Sequence, residues 1–368
     1  MKNLLSKIHI VHIIPTLNFG GAERFVVDLV NNLDKDKFIV SIIVLKNEMP
    51  LREQLNSDVK VYLVEKKGKL SLNLIGKIEK KLKELKADIV HTHLFGGDVW
   101  GRIAAKKLTL PIVTTEHNIN FQEGFLKQQI KKYLCNYSDI YTAPSKAVSD
   151  YLKNVYQVKK NIKVIRHGID LSKFFVDKKV NLKKPYKLLM LGRLTKQKGQ
   201  QIAIKALINL REYDWRLEIV GSGEEEKNLK DLVNKNNLTD KIIFYPATKN
   251  VLEVLQRNDI LLMPSLWEGL GIVAMEAMGT GLLVVASRVD GLKELIEDNK
   301  TGYLVEVGEI KSWTEKIKEI FEQPAEMQKI IMAGKNYAQK NFSLLEMVKS
   351  YEKVYNELLI SKFPSMRK

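Results

Sequence analysis

The stretch "DILLMPSLWEGLGIVAMEAMGTGLLVVAS", residues 259–287, reads as strand, loop, helix and strand in succession. Its two ends, 259–265 and 282–287, are short apolar runs of strand length, the pattern of strands buried on both faces of a parallel sheet. Between them Gly269 and Gly271 precede a run of good helix formers, 272–278. A strand that passes through a glycine loop into a helix presents bare N–H groups and the positive end of a helix dipole at the carboxyl edge of the sheet, a ready site for phosphate oxygens. Two acids interrupt the apolar run: Glu268 in the loop and Glu276 a turn or more inside the helix. At that spacing they do not share a helical face, so they address different parts of one ligand. A carboxylate accepts two hydrogen bonds from a vicinal diol, such as a sugar or a ribose offers. The structural alternative is one capping acid and one buried acid paired to a lysine, since an uncompensated buried carboxylate is costly.

Outward from this unit the same alternation continues in both directions. The second half has strand-like runs from 186 and at 215–221, 241–245 and 302–306; the first half has them at 8–15, 38–45, 59–64, 87–93, 111–117, 139–144 and 162–167. The lysine-rich, non-periodic segment 171–187 separates the two series as a linker. The pattern predicts an α/β fold of two doubly wound, Rossmann-like domains, 1–175 and 186–342. Ligands bind beyond the carboxyl ends of such strands, so the two are expected to face each other across a cleft. The last stretch, 343–363, is an amphipathic helix with Leu345, Val348, Val354 and Leu358 at near-helical intervals, expected to pack back onto the first domain. Residues 121–139 form a further helix with Phe125, Leu126, Ile130, Tyr133 and Leu134 near one side and solvated lysines at 127, 131 and 132. With the basic stretch 75–86 it is a candidate for docking on an anionic membrane.

A chain of 368 residues exceeds what one core serves, and 45% apolar with 28% charged residues is a globular composition. The single cysteine, Cys135, excludes an internal disulfide framework. The start lacks a cleavage site, and no run approaches the ~18 apolar residues of a membrane span. The chain is therefore expected to be cytoplasmic, or peripheral on the inner face of the plasma membrane. The net charge of +17, concentrated in the first half, suits a polyanionic partner or phosphorylated substrates.

Four further motifs carry chemistry. In "LGRLTKQKG" (191–199), Arg193 and Lys198 follow a strand, and two cations so placed can clamp a diphosphate whose charge grows as a glycosidic bond breaks. "NFGGAER" (18–24) is not a dinucleotide fingerprint, but Gly20 and Gly21 permit close backbone approach to a ligand. His91 and His93 alternate on one strand and can point to one face, and His117 ends another. No carboxylate or cysteine stands at ligand spacing from these three, so no metal site is expected.

Together these stretches resemble the two-domain, GT-B retaining glycosyltransferases of family four, the glycosyl transferases group 1. Residues 264–287 resemble its nucleotide-sugar signature, and matching segments at 15–29, 91–107, 114–118, 164–174, 191–199, 220–229 and 291–305 follow in order over nearly the whole chain. The resemblance implies a metal-independent, cofactor-free hexosyltransferase that moves a hexose or N-acetylhexosamine from a nucleotide diphosphate, UDP ahead of GDP, to a saccharide or lipid-linked saccharide. It implies a place in bacterial surface-polysaccharide synthesis. Donor contacts fall on Gly20, Gly21, Arg193, Lys198, Gly221, Glu268, Gly269, Leu270, Gly271, Ile272 and Glu276, and catalytic roles on His117, Glu268, Arg193 and Lys198, with His117 beside the transferred sugar. The leaving phosphate takes the acceptor's proton on the same face. Pro246 departs from the family's usual glycine in the loop that holds the base. Two other functions compete: a nucleotide-sugar epimerase of the same architecture, and a nucleic-acid-binding protein exploiting the charge, for which no recognition motif is present.

Overall fold

Among residues 7–66, 68, 72–120, 123–175 and 182–362, which the computed structural model describes, the apolar runs of the first half become seven parallel strands. They are β1 (Ile8–Ile14), β2 (Phe38–Val44), β3 (Lys60–Leu63), β4 (Ile89–His93), β5 (Ile112–Thr115), β6 (Ile140–Ala143) and β7 (Asn161–Val164), in the sheet order β3-β2-β1-β4-β5-β6-β7. The second half supplies six more: β8 (Tyr186–Leu191), β9 (Trp215–Val220), β10 (Ile242–Tyr245), β11 (Ile260–Met263), β12 (Leu283–Ser287) and β13 (Tyr303–Val305), ordered β10-β9-β8-β11-β12-β13. Each sheet reverses its strand order once, between β1 and β4 in one and between β8 and β11 in the other. At such a switch point the connections leave in opposite directions and a crevice opens beyond the strand ends. The chain divides into two compact units, Met1–His167 with Leu344–Lys368, and Gly168–Ser343.

In the first unit the period of two sorts side chains between two helix layers. Ile10 and Ile14 of β1 face the helix Gly21–Asn32, through Val26, Leu29 and Val30, and the closing helix Leu344–Lys362, through Tyr351, Tyr355 and Leu358. Val11 and Ile13 face the opposite way, onto Leu74, Ile78 and Leu82 of the helix Leu72–Leu85 and onto Ala104 and Ala105 of the helix Leu94–Lys107. The closing helix buries Leu344, Met347, Val348, Tyr351, Val354 and Leu358. Leu345, assigned to that stripe from sequence, is instead 61% exposed, because the buried face runs through the aromatic positions beside it.

The second unit repeats the scheme. Leu188, Met190, Leu217, Ile219, Leu262 and Val285 pack with the helices Gln200–Ile208, Glu226–Lys235 and Ile310–Glu322; Leu189, Leu261, Met263, Val284 and Ala286 pack with the helices Ile272–Thr280 and Pro324–Asn341. Part of the expected linker is structured: Leu171–Phe174 is a short helix with Phe174 buried in this unit's core, and Ile169 donates its N–H to Phe342 O at 2.9 Å. Residues 176–181 of that linker lie outside the described residues.

The expected helix at 121–139 is shorter and turned over. It spans Phe125–Leu134 and continues as a 3-10 turn, Cys135–Tyr137, while 121–122 lie outside the described residues. Phe125, Leu126 and Tyr133 point outward, 76%, 73% and 73% exposed. Lys131, expected in solvent, is buried with its ammonium 3.1 Å from Glu116 and 3.4 Å from Glu123. Burial alone would lower its pKa, but those two carboxylates outweigh it and hold the amine above the usual lysine range.

Candidate functional site

The sequence motifs of the second unit converge on the switch point between β8 and β11. After β8 the chain turns at Gly192, whose N–H bonds Val220 O at 3.0 Å, and runs through Arg193 and the 3-10 turn Lys196–Lys198 into the helix Gln200–Ile208. After β11 it runs through Glu268 to Gly271 and into the helix Ile272–Thr280. Gln197 laces the two loops: its amide donates to Trp267 O at 3.0 Å, its backbone carbonyl accepts from Leu266 N at 2.8 Å, and its side-chain oxygen accepts from Arg193 Nη2 at 3.2 Å. Across them Lys198 Nζ meets Glu268 Oε2 at 2.5 Å, with the side chains 20% and 10% exposed. Arg193, Lys198, Glu268, Gly269, Leu270 and Gly271 are thus brought together on two adjacent loops.

Backbone geometry explains two glycines here. Gly271 starts the helix with φ +99°, a left-handed value that L side chains rarely adopt, and a Cβ there would lie 2.6 Å from Leu292 Cδ2. Gly221, at the end of β9 with φ +155°, passes so close to Gly192 that a Cβ would sit 1.9 Å from its carbonyl oxygen. A side chain at either position would rebuild the loops that carry the cations. Glu276 is buried in the helix Ile272–Thr280, and Ile272 is its first residue. Thr195, on the same turn as Lys198, has a buried hydroxyl with no hydrogen-bond partner among the described residues, a polar group that sequence inspection did not single out.

The first unit holds His117, Gly20 and Gly21. Gly20 precedes the helix Gly21–Asn32 in extended conformation, and the volume a Cβ would take there is occupied by the Glu23 carboxylate, which also accepts from Thr16 Oγ1 at 3.0 Å. The space kept free at Gly20 is filled by the chain's own acid.

His117 belongs to a larger cluster at the switch point of its sheet. Parallel register sets His12 of β1 opposite His91 of β4. The rings of His91 and His93 lie 4.1 Å apart between centroids, and His12 lies 4.9 Å from His91. His91 contacts Tyr355 Oη through Nδ1 at 2.8 Å and Thr115 Oγ1 through Nε2 at 2.7 Å. His12 Nδ1 is 3.0 Å from His93 Nε2, and His93 Nδ1 is 3.1 Å from His117 Nε2. His167 stacks on Phe25 at 4.3 Å. Burial pushes His12 and His167 down to about 3 and holds His91, His93 and His117 well below the ordinary imidazole value. Ring nitrogens of His12, His91 and His93 fall within 4.8 Å of one another, close enough to be considered for a cation. Among the described residues, both nitrogens of His91 and His93 have hydrogen-bond partners, and the group contains no carboxylate. His12 and His167 were missed from sequence. The available signal was the placement of His12 at a strand position whose neighbours two residues away, Ile10 and Ile14, are core.

The comparisons agree with this architecture. Residues 172–337 match the family described as Glycosyl transferases group 1, and residues 19–173 match Glycosyltransferase Family 4. An uncharacterized glycosyltransferase of Methanocaldococcus jannaschii is 30% identical over 74% of this chain and 76% of its own length. The UDP-Gal:alpha-D-GlcNAc-diphosphoundecaprenol alpha-1,3-galactosyltransferase of Escherichia coli is 26% identical over 98% of this chain and all of its own. Among solved structures, Anabaena HepE in complex with UDP and glucose superposes with a TM-score of 0.83 at 20% identity, covering 95% of this chain and all of the other. The chain belongs to the GT-B glycosyltransferases of family 4, the glycosyl transferases group 1.

Proposed function

We propose that the protein is a retaining glycosyltransferase that moves a hexose or N-acetylhexosamine from a UDP-sugar to a lipid-linked saccharide in surface-polysaccharide synthesis, without a metal or other cofactor. The Lys198–Glu268 pair carries this assignment. A lysine and an acid held against each other over a glycine loop form a switchable charge pair. An incoming diphosphate would draw Lys198 away and leave the Glu268 carboxylate to accept hydrogen bonds from sugar hydroxyls. Arg193 would share the diphosphate, with Gly221 and the backbone of Gly269 to Ile272 close around it, and Glu276 would accept from the ribose diol. Gly20 and Gly21 would border the donor, and His117 the transferred sugar. As the anomeric C–O bond to phosphate breaks, the two cations oppose the charge growing on the leaving group. The departing phosphate oxygen takes the acceptor's proton while the acceptor oxygen bonds the anomeric carbon on the same face.

The lipid-linked acceptor and the UDP donor are supported by the names of the Escherichia coli relative and of the Anabaena complex. No helix among the described residues is long and apolar enough to cross a membrane; we place the enzyme on the inner face of the plasma membrane, with Phe125, Leu126 and Tyr133 as its exposed apolar contacts. The test is a panel of UDP- and GDP-sugars offered with undecaprenyl-diphosphate saccharides, with product anomers read by NMR in the presence of EDTA. Transfer with the donor's anomeric configuration kept, and with Glu276→Ala weakening UDP binding tenfold or more, is expected. Inverted products, a chelator-sensitive rate, or epimerised donor without transfer would refute it.

A further inference from the structure

Glu116 and His117 directly follow β5, and the Glu116 N–H still pairs with the next strand, donating to Thr142 O at 3.1 Å. Continued alternation sends the two side chains to opposite faces of the sheet. His117 enters the layer of the helix Gly21–Asn32, its ring 5.1 Å from that of Phe25. Glu116 enters the other layer, where the helix Phe125–Leu134 lies beside Leu94–Lys107 and Arg102 Nη1 donates to Leu134 O at 3.2 Å. There Lys131 Nζ stands 3.1 Å from Glu116 Oε2, 3.4 Å from Glu123 Oε1 and 3.3 Å from Tyr156 Oη. An ammonium has three N–H donors, and these three oxygens surround it. Glu116 opens the loop between β5 and the helix and Glu123 stands near its close, so one side chain ties both ends of the loop. Tyr156 Oη donates to Glu123 Oε2, and Tyr151 Oη donates to Asn120 O at 2.8 Å. Ile119 is buried in the cluster that holds both tyrosines.

Stability alone does not call for this arrangement. Asp98, Glu116 and Glu123 set three carboxylates against two cations, Lys131 and Arg102, the latter 3.2 Å from Asp98; each of the five side chains is 13% exposed or less. The cost of desolvating buried ions offsets their attraction, and well-packed apolar residues of similar volume often hold a fold as well or better. Apolar packing does not set the distance between two chain segments as a cation shared by their carboxylates does.

We propose that Lys131 is a positioning residue for transfer: by clamping Glu116 to Glu123 it fixes the described loop residues Glu116–Asn120 and, through the Glu116 backbone, the direction in which His117 leaves β5. This rests on the reading of the protein as a glycosyltransferase with His117 beside the transferred sugar. Lys131 acts from the other face of the sheet and touches no substrate.

The test removes the charges and keeps the volume. In the full chain, Lys131→Met with Glu116→Gln and Glu123→Gln leaves Asp98 and Arg102 paired and strands no charge. The triple variant is expected to melt no lower than the wild type and to bind UDP with unchanged affinity. Its kcat is expected to fall about tenfold or more, and amides of 116–120 to exchange about tenfold faster or more, while β1 and β4 exchange as before. Unchanged exchange of 116–120 would refute the clamp. Wild-type kcat beside a loosened loop would refute its part in transfer. A lower melting temperature with protection lost across β1 and β4 would make Lys131 a stability residue and overturn the proposal too. A wild type that transfers no sugar would refute the transferase reading instead, with the exchange result still deciding the clamp.

Discussion

Every histidine of the chain lies between residues 9 and 167, so the first unit holds all six and the second none. Acidification from pH 7 to pH 5 is therefore expected to loosen one unit and spare the other. Above about pH 6.5 a buried imidazole is neutral in both the folded and the unfolded chain. As the pH falls through that value the unfolded chain takes up protons that the folded cluster refuses, so stability falls with pH until the folded pKa is reached. His12 and His167 are pushed down to about 3, so each costs about 2 kcal/mol between pH 7 and pH 5, at ~1.36 kcal/mol per pKa unit. These two alone give about 4 kcal/mol, close to the low end of a domain's whole stability of ~5–15 kcal/mol. His91, His93 and His117 shift in the same direction and add to it. Glu116, raised by burial, works in the opposite sense but is one site against five. Asp34, Asp58 and Glu84 are held below the usual carboxylate range by Lys37, Lys35 and Lys81, and they lose that pairing only at lower pH.

Hydrogen exchange read by mass spectrometry on the full chain, corrected for the intrinsic pH dependence, separates the units. Peptides from β1 and β4 are expected to lose about three decades of protection between pH 7 and pH 5, the equivalent of about 4 kcal/mol. Peptides from β9 and β12 should hold theirs. His12→Phe should remove about one proton from the slope. Equal protection of β1 and β4 at both pH values, or an unchanged slope in that variant, would mean that the cluster is not held neutral.

Lys198→Met should strand the Glu268 carboxylate, which is 8% exposed, and lower stability by about 1–3 kcal/mol. Adding Glu268→Gln should restore the melting temperature but not turnover, whereas restored turnover would remove the pair from catalysis. Gly221→Ala forces a methyl against Gly192 O and should weaken UDP binding at least tenfold by calorimetry; unchanged affinity would place the nucleotide elsewhere. Phe125→Ser with Leu126→Ser should leave transfer to a water-soluble acceptor intact and lower cosedimentation with phosphatidylglycerol vesicles severalfold. Equal cosedimentation would exclude that helix as the membrane contact.

Periodicity alone sufficed for both sheets, because a doubly wound fold writes its strands as bounded apolar runs and its helices as amphipathic spans between them. The cations and glycines around Lys198 and Gly271 were legible for a related reason: a loop leaving a strand end is local in sequence, and its chemistry stays within a few residues. Lys131 was misjudged because its burial depends on Glu116 and Glu123, partners brought to it by β5 and the loop that follows. Leu345 was misjudged because helical spacing gives a face but not its rotation, which Tyr351 and Tyr355 set through contacts with the sheet.

The histidine cluster marks the limit of local inference most sharply. His12 lies opposite His91 only because β1 and β4 pair in parallel at one register, and a slip by one residue would turn the ring to the other face of the sheet. Nothing within either strand encodes that register. It follows from where Ile10 and Ile14 must sit to reach the helix Gly21–Asn32. The same packing that completes the core therefore fixes which imidazoles touch. A core change at Ile14 that shifted β1 against β4 by even a fraction of a residue would break the 3.0 Å contact between His12 and His93 before it unfolded the unit. Ile14→Ala is thus expected to alter the ¹⁵N-histidine signals of His12 and His93 while hydrogen exchange of β9 is unchanged. Unaltered signals in that variant, with the cavity cost of about 2–5 kcal/mol visible in the melt, would show that the cluster is held by its own hydrogen bonds rather than by the sheet.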